Sequence, residues 1–192
     1  MKKLKILYFT LFVALCLGSE SLLAEIQEIK TSTFDGKKFI FPADIKGRPL
    51  SLLFLAMADN RNDGELQQKI LIEWHLALES SDVFAEHLSA YHFSVVNKTP
   101  FFVRKVISNA IADAYKGIVS PSKSGAIFVK NSNFFTSDSK FSLNGKPSLV
   151  LLSLENELIL KLSGSPDKNK IDLLNAEIDA YLEKKKELGD VL

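Results

Sequence analysis

Hydrophobic positions along the chain change period several times, and each change marks an element. Residues 50–56, LSLLFLA, are apolar at almost every position. A run of that kind and length suits a central β-strand covered on both faces. From about 64 to 79 the period lengthens. Leu66, Ile70, Trp74 and Leu78 recur every four residues with Leu71 and Ala77 beside them, which predicts an amphipathic helix. Asn62 with Glu65 three positions on offers a capping box for its start. YHFSVVN, 91–97, reads as the next strand. Thr99 and Pro100 then supply an N-cap and a proline at the first helical position. Val103, Val106, Ile107, Ala110, Ile111, Ala114 and Tyr115 form a helical stripe that Gly117 stops. GAIFVK, 125–130, is a short strand.

The two ends of the chain are patterned by turns. Asp35-Gly36 is a hairpin signal between two short β-prone runs; Pro42 ends the second run, and Gly47 and Pro49 punctuate before Leu50. Near the other end, Pro147 precedes SLVLLSL, Glu155-Asn156 makes a turn, and ELILKLSG returns as a partner strand. Ser165-Pro166 then starts a helix whose buried face is Ile171, Leu174, Ile178, Tyr181 and Leu182. The charged tail from Glu183 is expected to fray.

The first two dozen residues are a separate object. Lys2, Lys3 and Lys5 precede an uncharged, mostly apolar stretch from Ile6 to Leu17, and Leu22-Leu23-Ala24 ends on a small residue. This is the pattern of a cleaved secretory signal peptide over 1–24, with cleavage after Ala24 and a periplasmic or secreted product. A retained membrane anchor fits less well, because the apolar run falls short of the roughly 20 residues that a spanning helix needs. A lipoprotein reading would use Cys16, but Leu15 stands before it where a small residue belongs. Cys16 is the only cysteine, so cleavage would leave no thiol and no disulfide. No membrane span is expected after cleavage. Residues 25–186 are long enough for one domain with an ordinary core, and 187–192 read as a flexible tail.

Composition narrows the rest. Fourteen Phe against one Trp point to a core built on aromatic bulk. A net charge of +1 gives no reason to expect nucleic acid as a partner. No tandem repeat, low-complexity segment or cofactor-binding motif is visible, and no cofactor is expected.

The order of elements is hairpin, strand, helix, strand, helix, short strand, proline, hairpin, helix, which is the arrangement of an α/β thioredoxin fold with an N-terminal β-hairpin. Residues 34–56, FDGKKFIFPADIKGRPLSLLFLA, resemble the entry of the peroxiredoxin and TlpA-like thioredoxin families. That entry is a DG hairpin, a short strand, a glycine-containing turn and a hydrophobic strand ending just before the active site. Residues 144–165, NGKPSLVLLSLENELILKLSGS, resemble the other end of that fold, where a proline in cis precedes an antiparallel hairpin closed by glycine. The resemblance implies a central mixed sheet flanked by helices over about 31–182, and a cis Lys146–Pro147 bond. It also implies where the active cysteines belong: here those positions are Asp59 and Asn62. The layout is also similar to the cysteine-less mitochondrial ATP-synthase assembly factor family, through SVVNKTPFFVRKVI at 94–107 and the hairpin. It departs from that family in keeping Pro147 and in lacking an Arg-Trp pair.

A thiolate attacks disulfides and peroxides because sulfur is polarisable and its pKa can be brought near neutrality. Asp59 and Asn62 supply neither property. Other chemistries fare no better in the same loop. As a calcium loop, Asp59 to Ile70 has Arg61 where an oxygen ligand belongs and Ile70 in place of the terminal glutamate, so a solvated loop and helix cap is the better reading. His75, His87 and His92 are the only histidines. His75 sits beside Trp74 and His92 lies in a strand, where packing or solvent is expected rather than a metal. No G-x-S-x-G nucleophile elbow is present. Phe101-Phe102 and Phe134-Phe135 are doublets in which one ring of each is expected at the surface. Two functions remain. The first is a redox-inactive, non-enzymatic accessory protein that binds an unknown protein or peptide around Asp59, Asn60, Arg61, Lys146, Pro147, Phe101 and Phe102. The second is an enzyme with non-thiol chemistry at Asp59–Asp63. An apolar groove beside Pro147 would favour the first and a deep charged pocket at the loop the second.

Overall fold

The computed structural model describes residues 28–46, 49–79, 82–136 and 139–189. The expected leader with Cys16, the Ala24 cleavage point, Gly47 and the end of the tail at 190–192 lie outside them. The chain begins with β1 (Ile29–Ser32) and β2 (Lys38–Phe41), paired antiparallel around Asp35-Gly36. Gly36 has φ +86°, a conformation that costs glycine nothing, so the DG signal is read correctly. Then follow β3 (Leu50–Met57), α1 (Arg61–Glu79), α2 (Asp82–His87), β4 (Leu88–Asn97), α3 (Phe101–Tyr115), β5 (Ser124–Val129), α4 (Asn133–Thr136), β6 (Ser148–Ser153), β7 (Leu158–Ser163) and α5 (Lys168–Glu187).

Strands β3 to β7 make one five-stranded sheet in the order β5-β4-β3-β6-β7. β3 pairs parallel with β4, and β4 with β5; β6 runs antiparallel to both β3 and β7. A parallel β-α-β half joined to an antiparallel hairpin and a closing helix is the thioredoxin-like arrangement expected. β3 is the centre, buried over Leu50 to Ala56, as its continuous apolar run requires.

Two faces of the sheet are covered differently. On one, α1 and α5 pack Leu71, Trp74, Leu78, Leu174, Ile178 and Leu182 against Leu50, Leu52, Phe54 and Leu149. α3 lies on the same face over β5, through Ile111 and Tyr115 against Ala126. Among the described residues no long helix covers the opposite face. Phe39 and Phe41 of the hairpin, with Phe135 and Phe141, close over Phe93, with ring centroids 5.0–5.9 Å apart for the pairs Phe39–Phe93, Phe41–Phe93, Phe41–Phe135 and Phe41–Phe141. Six of the fourteen phenylalanines, Phe39, Phe41, Phe93, Phe134, Phe135 and Phe141, are packed here, where a strand pair and short segments do the work of a helix layer. The hairpin reaches the sheet edge through a Thr33–Gly125 bridge. A Cβ on Gly125 would lie 2.8 Å from the Ser32 carbonyl oxygen and 2.9 Å from the Phe93 ring, so only glycine allows that approach.

Several expectations need correction. The Lys146–Pro147 bond is not cis; among the described residues the cis X–Pro bond is Phe41–Pro42. The change of direction before β6 is made by Asn144 and Gly145, at φ 45° and 69°, so the bond before Pro147 has no turn left to make. This is a departure from the family pattern, and the fold assignment rests on the strand order rather than on that proline. α1 starts at Arg61, and α5 is capped by Asp167, whose side chain accepts the Lys170 N–H, rather than by Ser165. α3 has Pro100 as its N-cap, and the Thr99 hydroxyl turns back to the Asn97 carbonyl. α5 continues to Glu187, past the point at which fraying is expected.

Candidate functional site

The register puts the predicted site residues at one end of the sheet. Leu55 pairs with Ser148 and Met57 with Val95, so the end of β3, the start of β6 and the end of β4 lie side by side. The 58–60 loop, Lys146-Pro147 and the first turn of α3 all project from that end.

Hydrogen bonds tie the loop to itself. The Asn60 side-chain oxygen accepts the Asp63 N–H at 3.0 Å, and the Asn60 carbonyl accepts Gly64 N–H at 2.9 Å. Asp63 returns the favour: its Oδ2 accepts the Asp59 N–H at 3.1 Å and the Gln67 Nε2 at 2.9 Å. The capping pair is therefore Asn60 with Asp63, not Asn62 with Glu65; the helix begins two residues earlier than that box requires. Gln67, buried under the loop, also donates to the Met57 carbonyl at 3.1 Å and accepts the Met57 N–H at 3.2 Å. It thus continues the β3 edge bonding into the helix. Arg61 pairs with Glu65 at 2.7 Å on the exposed side of α1.

Asp59 and Asn62, at the positions implied for cysteines, are exposed. Nothing at either position can cycle between thiol and disulfide. The Asp63 carboxylate is committed to the loop's own N–H groups. Lys146 is exposed and Pro147 buried, its carbonyl accepting the Gly164 N–H at 2.8 Å.

α3 differs most from its sequence pattern. Phe101 is 85% exposed, Phe102 81% and Val106 69%. Both rings of the doublet are at the surface, where one was expected. The buried positions on this helix are Ile111 and Tyr115. In the second doublet, Phe135 is fully buried and Phe134 is packed partly buried against the same core.

The grooves on the described surface include two beside α3. One, of about 490 Å³, runs along the end of α3 and residues 116–121. The other, of about 640 Å³, lies between the hairpin, α3 and β5. Neither is lined by Asp59–Asp63 or by Pro147.

Sequence reasoning missed a buried polar cluster. His92 on β4 stacks on Phe54 with centroids 4.0 Å apart, and its Nε2 lies 3.1 Å from Nδ1 of His75 on α1. Tyr115 of α3 meets the His92 ring edge-on at 5.3 Å. Burial holds the His92 imidazole well below its ordinary pKa, and the adjacent His75 pushes the same way. Burial also lowers His75, partly offset by Glu79 and the Ile118 backbone. The Tyr115 phenol is pushed up to about 12 by burial, with the nearby Ser94 holding it back. His92 Nδ1, Ser94 Oγ and Tyr115 Oη have no partner at hydrogen-bond distance. Among the described residues no three His, Cys, Asp or Glu side chains are placed to hold a metal.

No protein-family model matches the chain, and no curated protein matches it in sequence. Solved structures do resemble it. A yeast mitochondrial 1-Cys peroxiredoxin is 13% identical, over 85% of this chain and 76% of that one, with a TM-score of 0.49. BsSco, of the Sco family of cytochrome c oxidase assembly proteins, is 13% identical over 82% and 94%, at 0.48. A secreted Mycobacterium tuberculosis disulfide oxidoreductase is 8% identical over 81% and 98%, at 0.43. All are thioredoxin-like; the fold of this chain is carried by its own strand order.

Proposed function

We propose that this chain is an exported, redox-inactive accessory protein that uses a thioredoxin-like scaffold to bind another protein. The leader at 1–24 directs it to the periplasm or beyond, and an assembly or holding role fits a fold whose reactive loop carries no thiol pair. The observation that supports this reading is the first turn of α3. Phe101 and Phe102 stand 85% and 81% exposed beside the loop, with Val106 one turn on. Covering one such ring is worth about 1.5–3 kcal/mol, so an uncovered pair at a sheet end is a surface suited to a partner. The loop at the same sheet end carries the polar groups Asp59, Asn60 and Arg61, and neither groove described above is lined by it.

The test is a photoreactive phenylalanine analogue at Phe102, expressed in the cells that make the protein. A discrete heavier adduct is expected from position 102 and none from the same probe at the exposed Glu183 on α5. Equal adduct patterns from the two positions, or no adduct from 102, would remove the surface from consideration.

A further inference from the structure

The groove between the N-terminal hairpin and α3 has walls of one charge sign. Lys30 and Lys38 point from the same side of the hairpin, because Lys30 pairs with Ile40 and Lys38 stands two positions before Ile40. That side is opposite the one from which Phe39 and Phe41 enter the core. Across the groove stands Arg104 of α3. Its guanidinium lies over the Phe128 ring, 5.3 Å from the centroid, and its Nε donates to the Thr99 carbonyl at 3.2 Å. Those two contacts hold the group in place through Nε and the ring beneath it, not through its terminal nitrogens. Between the walls Ala126 and Phe128 are apolar, Thr31, Ser32, Thr33 and Ser108 add polar groups, and none of the residues that line the groove is acidic.

From this arrangement we infer that the groove binds a short, extended, acidic peptide segment of a partner, with carboxylates on Lys30, Lys38 and Arg104 and apolar side chains toward Phe128. A pre-oriented guanidinium is suited to a forked contact with a carboxylate, and the lysines add point charges without fixed geometry. An extended chain carries alternate side chains to opposite sides, so apolar residues laid toward Phe128 leave the interleaved acids on the open side of the groove, where the long Lys30, Lys38 and Arg104 side chains can meet them. A nucleic acid is disfavoured. The whole chain has a net charge of only +1, and the three cations of the groove are few for a phosphate track. The inference takes the binding reading as its premise but uses a different surface from Phe101 and Phe102.

Fluorescence anisotropy with a labelled peptide of alternating glutamate and leucine tests it, on the full chain as the producing cell processes it. Binding is expected to weaken as salt rises, since exposed charges are screened. Lys30→Glu with Lys38→Glu places acids on exposed positions and should weaken binding by about tenfold or more. Arg104→Lys keeps the charge and loses the fork, and should cost about tenfold. Thermal unfolding of each variant, matched to the parent, establishes that the effect is local. The inference is overturned if the parent does not bind the peptide. It is equally overturned if a lysine–leucine peptide or an oligonucleotide binds as tightly, or if charge reversal changes nothing. Loss of the groove result alongside a retained Phe102 adduct removes the acidic-peptide inference and leaves the binding reading standing. The reverse pattern removes the Phe102 surface alone.

Discussion

Gln67 holds the loop that the rest of the site surrounds. Its amide makes both hydrogen bonds to Met57 and one to Asp63, all from a side chain that is buried beneath 58–60. Gln67→Leu preserves most of the volume and removes every one of these partners. It leaves backbone groups of Met57 unpaired at a half-buried edge, which costs about 1–3 kcal/mol. A urea-midpoint shift of that size is expected, together with faster amide hydrogen exchange at Met57 and Asp59. An unchanged midpoint with unchanged exchange would show that the loop is held by Asn60 and Asp63 alone. The sequence hid this residue because Leu66, Ile70, Trp74 and Leu78 look like one stripe. A strict spacing of four drifts by roughly 40° per step on a helix of 3.6 residues per turn, so Leu66 and Leu78 cannot share a face. The buried set is Gln67, Leu71, Trp74, His75 and Leu78, while Leu66 is exposed. Two of those five are polar, and apolar periodicity cannot see them.

At the scale of elements, β3 running into α1 is the part whose chemistry the resemblance addresses. Asp59 and Asn62 flank the first helical residue, where backbone N–H groups and the helix dipole favour a thiolate. Asp59→Cys with Asn62→Cys should therefore close an intramolecular disulfide under mild oxidation and gain weak insulin-reductase activity. The unaltered protein should show no such activity. Reduced and oxidised forms are separable by thiol-alkylation mass shifts. A double variant that stays reduced would mean that the loop is not in the catalytic position of the fold. Most elements were legible: both hairpins, from Asp35-Gly36 and Glu155-Asn156, the β3 run, and the α5 stripe of Leu174, Ile178 and Leu182. Helix starts were less so, because Asn60, Asn62, Ser165 and Asp167 are all competent caps and local sequence does not choose among neighbours. α3 was legible as a helix but not in its burial. Val106, Ala110 and Ala114 belong to its apolar stripe, yet all three are exposed, because the helix rests on β5 along a narrow line.

Three long helices lie on one face of the sheet, and the polar seam at its centre is expected to make stability depend on pH. His75 comes from α1, His92 from β4 and Tyr115 from α3, so the seam lies where three elements meet. No residue pattern announces it, since the partners are distant in sequence and each sits on an otherwise apolar face. The charged group that bears on it is Glu79 of α1, which favours protonation of His75 but does not offset the burial. His92 has a folded pKa well below its ordinary 6.5. Above that value both the folded and the unfolded chain hold it neutral, and the group contributes nothing to pH dependence. Below it the unfolded chain takes up a proton that the folded one refuses, so stability falls as pH falls, by up to about 1.4 kcal/mol per pH unit for this residue. His75, less deeply placed, adds to the fall in the same direction. Asp35, Glu155 and Asp167, with lowered pKa values, lose their contributions only at lower pH, as they protonate below the ordinary carboxylate range. The urea midpoint is therefore expected to drop between about pH 7 and about pH 5. His92→Gln keeps a hydrogen-bonding group toward His75 and cannot titrate, so it should flatten most of that slope even if it lowers stability at neutral pH. Equal slopes in the parent and in His92→Gln would locate the pH dependence elsewhere and leave the seam as packing alone.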